Sequence, residues 1–334
     1  MKYNNTFISS PDVTLDVVYT YVNTTDDSWI NKVKKFKPSY GNNLNKERFN
    51  YNGEIFFSLE TVQKFIPWIR KIFIVHDNQE FNLDFLNDDF KKKIKFVDHK
   101  KIIPSKYLPV FNSMLIEMFI ANIKGLSDNF IYLNDDMFIG DYLTHNFFFD
   151  NNRVLKQFLR NKKDGYSLNR LNNEPHLIRL INVHNLVKKV FHKNKYYISN
   201  HGSWNLNKYA CQITFKLFKN IFKKMLKSQR FRIYNKDTYE FLTLSSIIAE
   251  ELKIAKTVNN QKFIYQIHED LNNTHVHRIF KIKPKIFIIN NLNERQTKEW
   301  NNLKNKYLKL FSNNKYDNIK HFNLKGTPLK NIIE

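Results

Sequence analysis

The feature that most constrains the fold is a regular alternation between short apolar runs and longer segments with helical spacing. Runs rich in β-branched and aromatic residues, each typical of a buried strand, lie at 15–22, 71–76, 93–99 and 129–136. Between them, segments 54–66 and 112–123 carry apolar residues at the spacing of an amphipathic helix. Strands that alternate with helices predict an α/β fold with a mostly parallel, Rossmann-like sheet.

Polar clusters follow three of these strands at the point where each strand ends. They are Asp26–Asp27, Asp77–Gln79 and Asn134–Asp136. Because ligands of parallel sheets bind beyond the carboxyl ends of the strands, we expect these clusters to meet at one edge of the sheet. Burying two adjacent carboxylates in a core is costly unless a cation or bound group compensates them. The stretch "FIYLNDDMFIG" at 130–140 therefore points to a binding site rather than to core packing.

The rest of the chain reads as part of the same domain. We predict a single catalytic domain over 1–334, with an α/β core at about 12–145 and 280–312 and a helical and loop insertion at about 146–279. Further helices are expected at 212–227, within "TYEFLTLSSIIAEEL", and at the C-terminal "ERQTKEWNNLKNKYLKLF". Appended or inserted helices around a Rossmann-like sheet are thus the predicted architecture.

Composition restricts the class of protein. The apolar fraction of 42% and aromatic fraction of 15% are those of a globular chain, not a disordered one. A single cysteine, Cys211, excludes an internal disulfide framework and a cysteine zinc cluster, and it suits a reducing compartment. No run of 18 apolar residues occurs, and the first residues lack the pattern of a secretory signal. The expectation from these features is a cytoplasmic protein.

The net charge of +23 favours anionic partners. Such a field attracts nucleic acid, anionic lipid headgroups, or phosphorylated sugars and nucleotides, although a solvated Lys-rich surface explains the charge equally well. No nucleic-acid-binding signature occurs, so no nucleic acid is expected as a partner. The helix predicted at 212–227 carries an apolar face opposite its lysines. That face is expected to pack on the core, with peripheral contact with an anionic membrane, at the inner face of the cytoplasmic membrane, as the alternative.

Candidate chemical groups are few and individually weak. Asp135 and Asp136 offer the oxygen ligands that hard divalent cations prefer, or else a helix cap and a surface acid. His201 lies in the polar stretch "ISNHGSW", and a lone histidine is more often structural. Arg230 and Arg232 lie among aromatic residues, where a forked guanidinium suits phosphate capture or simply ends a solvated helix. Neither a phosphate-binding glycine loop nor a nucleophile elbow occurs in the sequence.

Four stretches of the chain resemble conserved blocks of the Stealth proteins. This family includes bacterial capsular polysaccharide phosphotransferases and the animal lysosomal-enzyme N-acetylglucosamine-1-phosphotransferase. The stretches are "DVVYTYVNTTDDSW" at 16–29, residues 48–79, residues 108–141 and, more loosely, residues 285–311.

The resemblance implies a sugar-1-phosphate transferase. Such an enzyme moves a hexose-1-phosphate or N-acetylhexosamine-1-phosphate from a nucleotide-sugar to a hydroxyl of a polysaccharide or oligosaccharide acceptor, using Mg²⁺ or Mn²⁺. The products are a phosphodiester in capsular or cell-surface polysaccharide and a nucleoside monophosphate. Two alternatives stay open: a metal-dependent glycosyltransferase that releases a nucleoside diphosphate, and a basic module that binds nucleic acid or lipid surfaces without chemistry.

The resemblance also assigns roles by position in this sequence. Asp135 and Asp136 are expected to hold the metal; His201, Asp136 and Arg232 to be catalytic; and Asp26, Arg48, Asn52, Asn112, Glu117 and Asn134 to bind substrate. His201 would deprotonate the acceptor or stabilise the leaving phosphate, since its usual pKa allows either. The chain departs from the family pattern at Tyr51, Glu60, Ser203 and Asn291. The last of these weakens any metal or acid–base role in the fourth block.

Overall fold

The structure is a computed structural model, which describes residues 14–38, 53–161, 174–193, 197–199, 204–258, 263–267, 271–289 and 296–311. Its strands are β1 Leu15–Thr20, β2 Ile72–His76, β3 Ile94–Asp98, β4 Asn129–Leu133, β5 Met137–Ile139, β6 Leu155–Gln157, β7 Leu159–Asn161, β8 Tyr197–Ser199, β9 Trp204–Asn207, β10 Ala255–Thr257, β11 Ile264–Ile267 and β12 Ile286–Ile289. Its helices are α1 Asp27–Phe36, α2 Glu54–Phe65, α3 Asp88–Lys91, α4 Ser113–Glu117, α5 His145–Phe148, α6 Ile178–Phe191, α7 Lys208–Leu217, α8 Lys219–Ser228, α9 Phe241–Glu251, α10 Asn273–Ile282 and α11 Thr297–Phe311.

A five-stranded sheet forms the centre of the fold, in the order β3–β2–β1–β4–β9. The four strands predicted from apolar runs are all parallel to one another, and β9 joins the edge antiparallel to β4. Every residue of β2 and β4 is buried, as expected for parallel strands that are covered on both faces. The prediction of an α/β fold with a mostly parallel sheet is confirmed.

Helix α2 lies between this sheet and a second, smaller one. Eleven of its twelve residues are buried, which leaves no water-facing side. The hydroxyl of Ser58 is 2.8 Å from that of Tyr19 in β1 and donates to the carbonyl of Met137, at 2.5 Å. On another side, the ring of Phe57 packs edge-on against Trp300 of α11, with centroids 5.4 Å apart. The helix therefore joins the central sheet, the second sheet and the C-terminal helix.

The second sheet has the order β11–β12–β5 and is built from distant parts of the chain. β5 is antiparallel to β12, and β12 is parallel to β11. The chain passes so close beneath β5 that a Cβ atom at Gly140 would collide with the carbonyl oxygen of Pro284. A glycine is needed there because the two backbones touch.

The segment predicted as an insertion also contributes to the sheet. β9 lies within 146–279, yet it forms the edge of the central sheet, while β6 pairs with β10 and β7 with β8 in separate ribbons. The boundaries of the domain parts stay a prediction.

The helix predicted at 212–227 is divided at Phe218 into α7 and α8. The apolar side of α8 is buried, since Phe222, Met225 and Leu226 face the core. No helix in the ranges given above is both long and apolar enough to cross a bilayer.

The long helix predicted at 112–123 is not formed as one element. Its first part is α4, and a short 3₁₀ turn at Ile120–Asn122 follows. The ring of Phe119, between the two, packs against Tyr107 and Phe215, with centroids 6.4 and 5.6 Å away. Since nearly all of this segment is buried, packing on several sides overrides its helical propensity.

An ion pair fixes the amino edge of the central sheet, opposite the polar clusters. Asp16 of β1 is fully buried, and it accepts bonds from Arg70 Nη2 at 2.5 Å and from the backbone N–H of Lys71 and Ser127, at 3.0 and 2.8 Å. Changing Arg70 to Met is expected to lower the free energy of unfolding by about 2–3 kcal/mol, because it leaves a buried carboxylate without its cation. Urea denaturation would measure this loss.

The matched control for this prediction is Lys92→Met. Lys92 pairs with Asp89 at 2.7 Å, but both side chains are exposed, so the expected change is within about 0.5 kcal/mol. Equal losses in the two variants would contradict the importance given to the buried pair.

Candidate active site

Hydrogen bonds join the loops after β1 and β2 at the carboxyl edge of the central sheet. The backbone N–H of Asn23 donates to Gln79 Oε1 at 3.1 Å, and Gln79 Nε2 donates to the carbonyl of Asn23 at 2.8 Å. Asp26 caps α1, because its Oδ1 accepts from the backbone N–H of Trp29 at 2.7 Å and from the hydroxyl of Ser28 at 2.6 Å. Burial raises the pKa of Asp26, but these hydrogen bonds outweigh it and hold the pKa below its usual value. Asp26 therefore carries a full negative charge at neutral pH.

The acidic turn, Asn134–Asp136, connects β4 to β5 at the same edge. It is closed by a bond from the backbone N–H of Met137 to the carbonyl of Asn134, at 3.2 Å. Burial, followed by the charge of Glu54, raises the pKa of Asp136 to about 7. The pKa of Asp135 is also well above its usual value, because of burial and the charges of Asp136 and Glu54. The three carboxylates thus repel one another in a half-enclosed site.

Asp136 Oδ1 stands out within the acidic turn because, among the described residues, this buried oxygen has no hydrogen-bond partner. A buried carboxylate oxygen without a donor is unfavourable unless something else binds it. Asp135 and Asp136, the predicted metal ligands, are thus side by side in a site that favours positive charge.

Glu54 is a site residue that the sequence reading missed. It is buried in the first turn of α2, directly after Gly53, which begins the helix in the left-handed conformation with φ 72°. The positive end of the helix dipole favours a carboxylate there. In the sequence, the Gly53–Glu54 pair at the start of a predicted helix indicates a carboxylate in the first helical turn. Only the folded chain shows that this helix begins beside the acidic turn.

A second group of polar side chains lies on the other face of β1 and β4. The hydroxyl of Tyr132 donates to Glu117 Oε1 at 3.2 Å and is 2.7 Å from the hydroxyl of Thr20, the last residue of β1. Burial, and then the charge of Glu240, raises the pKa of Glu117 to about 7, while Arg232 opposes the shift. Glu117 and Arg232, which were predicted from the sequence, therefore act on each other electrostatically.

Glu240 and Arg179 complete this group and were not predicted. Arg179 Nε donates to Glu240 Oε1 at 2.7 Å, and both side chains are almost fully buried. The hydroxyl of Thr243 donates to the other oxygen of Glu240. The pair comes from helices far apart in sequence, so no local pattern marks it.

Changing Glu117 to Gln is expected to flatten the pH dependence of stability. Because the pKa of Glu117 rises from 4.5 to about 7 on folding, the folded protein binds this proton more tightly than the unfolded chain does. The free energy of unfolding should therefore fall as pH rises from 4.5 to about 7. The groups that face Glu117 are Tyr132, Glu240, Arg232 and Arg179.

Urea denaturation at several pH values between these limits would test this expectation. The parent protein should lose more stability with rising pH than the Glu117→Gln variant does. Asp89→Asn, which removes a carboxylate whose side chain is 91% exposed, should keep the parent's slope. An unchanged slope in Glu117→Gln would show that this carboxyl titrates normally.

Arg232 and Asn112 lie where two segments of chain run side by side. Arg232 is exposed, and its Nη2 donates to the hydroxyl of Ser113 at 2.5 Å. Asn112 is fully buried; its Nδ2 donates to the carbonyl of Gln229 at 3.0 Å, and its Oδ1 accepts from the backbone N–H of Met114 at 3.2 Å. Both the nitrogen and the oxygen of the Asn112 amide are therefore hydrogen-bonded within the protein, and its contact with substrate stays a prediction.

Three predicted site residues, His201, Arg48 and Asn52, lie outside the described residues, as do Tyr51, Ser203 and Asn291. The described chain resumes at Trp204, which pairs with Tyr132 near the carboxyl end of β4. Glu60 is buried in α2, where burial raises its pKa well above the usual value and the charge of Lys304 opposes that effect. The residue that replaces a frequent family arginine is therefore part of the core.

Comparison with known proteins finds a family model that matches part of this chain. Residues 48–157 match the model of Stealth protein CR2, conserved region 2. The match includes both 48–79 and 108–141, so these two stretches belong to one conserved region. It also includes Glu54, Asn112, Glu117 and the acidic turn. The resemblance to Stealth proteins that the sequence suggested is confirmed.

Three curated relatives are named capsular polysaccharide phosphotransferases. The capsular polysaccharide phosphotransferase of Actinobacillus suis is 40% identical over 153 residues, which cover 44% of this chain and 41% of that protein. That of Neisseria meningitidis serogroup B is 39% identical over 158 residues, covering 46% and 42%. Capsular polysaccharide phosphotransferase fcs1 of Haemophilus influenzae is 36% identical over 194 residues, covering 57% and 52%. The matches span about half the length of these relatives.

Among solved structures, the galactosyltransferase LgtC in complex with donor and acceptor sugar analogs aligns with 87% of this chain and 95% of its own, at 11% identity and a TM-score of 0.46.

Proposed function

We propose that this chain, which carries conserved region 2 of the Stealth proteins at residues 48–157, transfers a sugar-1-phosphate from a nucleotide-sugar to a hydroxyl of a glycan. The observation that carries the proposal is that two groups of ionisable side chains lie at the carboxyl ends of β1 and β4. One group is the acidic turn with Glu54, and the other is Glu117 with Arg232. The relatives named capsular polysaccharide phosphotransferases support a polysaccharide as the acceptor.

A divalent cation, Mg²⁺ or Mn²⁺, fits the acidic turn. Across the described ranges, no three His, Cys, Asp or Glu side chains are arranged to hold a metal ion by themselves. However, Mg²⁺ usually keeps several waters and binds one or two carboxylates together with substrate phosphates. Asp135 and Asp136 would supply these carboxylates, and the partnerless Oδ1 of Asp136 supports that role. The cation would offset negative charge on the diphosphate of the donor.

The protein's own groups would act on the transferred phosphate and on the acceptor. An acceptor oxygen attacks the β-phosphorus, the bond from this phosphorus to the bridging oxygen breaks, and the nucleoside monophosphate leaves with the electron pair. Arg232 is exposed and able to stabilise charge on the transferred phosphate. Glu117, with a pKa near neutrality, is able to hold or release a proton beside the acceptor. His201 remains a predicted base for the acceptor hydroxyl.

Contact with a membrane has less support. The sequence suggested that the apolar face of 212–227 could rest on anionic lipid, but in α8 that face packs inward. The lysines of α8 and the exposed Leu217 of α7 would be left for such a contact.

A product assay tests the proposal. The protein is incubated with a panel of nucleotide-sugars, a capsule-type oligosaccharide and Mg²⁺ or Mn²⁺, and the released nucleotides are separated. We expect nucleoside monophosphate, dependent on both acceptor and cation, and its loss when EDTA is added. Release of nucleoside diphosphate would instead establish a glycosyltransferase. Release of neither nucleotide across the panel would contradict an enzymatic role with these donors.

A further inference from the structure

A partly exposed cluster of aromatic rings lies beside Arg232 and is not used by the proposed chemistry. This aromatic platform consists of the exposed ring of Phe36 and the half-buried rings of Phe111 and Phe231, together with the buried ring of Trp29; Trp29 and Phe36 belong to α1. The ring of Phe111 is at its centre, stacked on Phe231 with centroids 5.1 Å apart and 6.0 and 6.1 Å from Trp29 and Phe36. Phe36 is 45% exposed, which is unusual for a ring that could have been buried among the others.

Cations surround the platform. The guanidinium of Arg230 lies 4.4 Å from the ring centre of Phe36, and Lys37 Nζ lies 5.5 Å from that of Phe231. Helix α1 carries its acidic residue, Asp27, in the first turn and two lysines, Lys34 and Lys35, in the last turn, beside Phe36. The platform is thus an apolar surface with a positively charged border.

Backbone contacts connect the platform to the proposed site. The backbone N–H of Phe111 donates to the carbonyl of Arg230 at 3.0 Å. Two positions farther along each segment, Arg232 Nη2 donates to the hydroxyl of Ser113 at 2.5 Å. Arg232 in turn acts on the charge of Glu117, which contacts Tyr132 at the end of β4. The platform therefore adjoins the residues proposed to act in the transfer.

We propose that the aromatic platform binds an extended glycan whose units are joined by phosphodiesters. The apolar C–H face of a pyranose ring packs on an aromatic ring and removes apolar surface from water. Arg230 and Lys37 would bind the phosphate groups, since a guanidinium forms paired hydrogen bonds with phosphate oxygens. The identity of this ligand rests on the proposed function, because each transfer would add one sugar and one negative charge to the acceptor. A neutral glycan would contact the aromatic rings but not the cations, and a polyanion without sugar rings would contact the cations but not the aromatic rings.

Binding measured without any donor tests this inference separately from catalysis. The probes are a hexose oligomer joined by phosphodiesters, a neutral hexose oligomer of equal length, inorganic polyphosphate, and single-stranded DNA. We expect the phosphodiester oligomer to bind tightest, with affinity that falls as salt is raised. Phe36→Ala should raise its Kd about tenfold through loss of one stacking contact. Arg230→Gln should also raise the Kd and reduce the salt dependence.

The control variant is Tyr209→Ala, which removes an aromatic ring that is 54% exposed on α7 and should bind like the parent. Because Phe36 is partly exposed, its replacement should leave the fold intact, which circular dichroism would check. Polyphosphate or DNA binding as tightly as the phosphodiester oligomer would overturn the inference, as would parent-like binding by Phe36→Ala. Selective binding without nucleotide release in the product assay would support the platform and contradict the proposed transfer.

Discussion

Changing Asp136 to Asn is expected to reduce turnover by at least about a hundredfold, since removal of one preorganised charged group from an active site commonly costs that much. The same change should leave the thermal unfolding temperature unchanged or raise it. The reason is that Asp136 is held next to Asp135 and Glu54, so the folded protein bears the repulsion among three carboxylates. Activity and stability would thus move in opposite directions.

Asp141→Asn is the matched control for Asp136→Asn. Asp141 lies five residues farther along the chain and pairs with Lys285 Nζ at 2.5 Å, outside the acidic turn. Its replacement should cost about 0.5–1 kcal/mol of stability and leave turnover close to that of the parent. Nucleotide release and differential scanning calorimetry would give both quantities. An active Asp136→Asn variant that still depends on the cation would remove Asp136 from the metal site.

Changing Arg232 to Gln is expected to reduce turnover by about a hundredfold or more. In phosphoryl transfer, an arginine that stabilises the negative charge of the transition state raises the rate by at least that factor. Stability should change little, since the side chain is exposed and its hydrogen bond is to Ser113 at the surface. Arg232→Lys should recover only part of the loss, because an ammonium keeps the charge but not the planar fork.

Single-turnover kinetics of the two Arg232 variants would separate this role from one in binding. A loss confined to KM would indicate that Arg232 only holds substrate. Arg278→Gln provides the control, since Arg278 lies over the ring of Tyr265, 5.3 Å from its centre, and has no proposed role in transfer. Equal rates for Arg232→Gln and Arg278→Gln would contradict the proposed role.

The central sheet and the polar clusters at its carboxyl edge could be predicted because their signals are local. Apolar runs gave the four parallel strands, and the rule that ligands bind at carboxyl ends placed Asp26, Gln79 and the acidic turn at one edge. The carboxylates stand out in the sequence because they interrupt an apolar run. A single stretch, 130–140, therefore carries enough information to locate the acidic turn.

The rest of the site depends on contacts between distant segments. Glu54 is beside the acidic turn only because α2 packs against both β1 and β5. Glu240 and Arg179 come together from α6 and the start of α9, and nothing in either segment alone indicates the pairing. The broken helix at 112–123 has the same cause, since its spacing is helical but the surrounding packing is not compatible with one straight element.

The complete burial of α2 has a consequence for when the repulsive acidic turn can relax. An element with a solvent-facing side can detach by local opening, whereas one enclosed by two sheets and a helix is released only when the whole domain unfolds. Glu54 begins this helix, and Met137, which follows the turn, is bonded to it through Ser58. The repulsion among the carboxylates is therefore borne by the global cooperativity of the fold, and within the native state it is relieved by proton uptake or a bound cation rather than by detachment of α2.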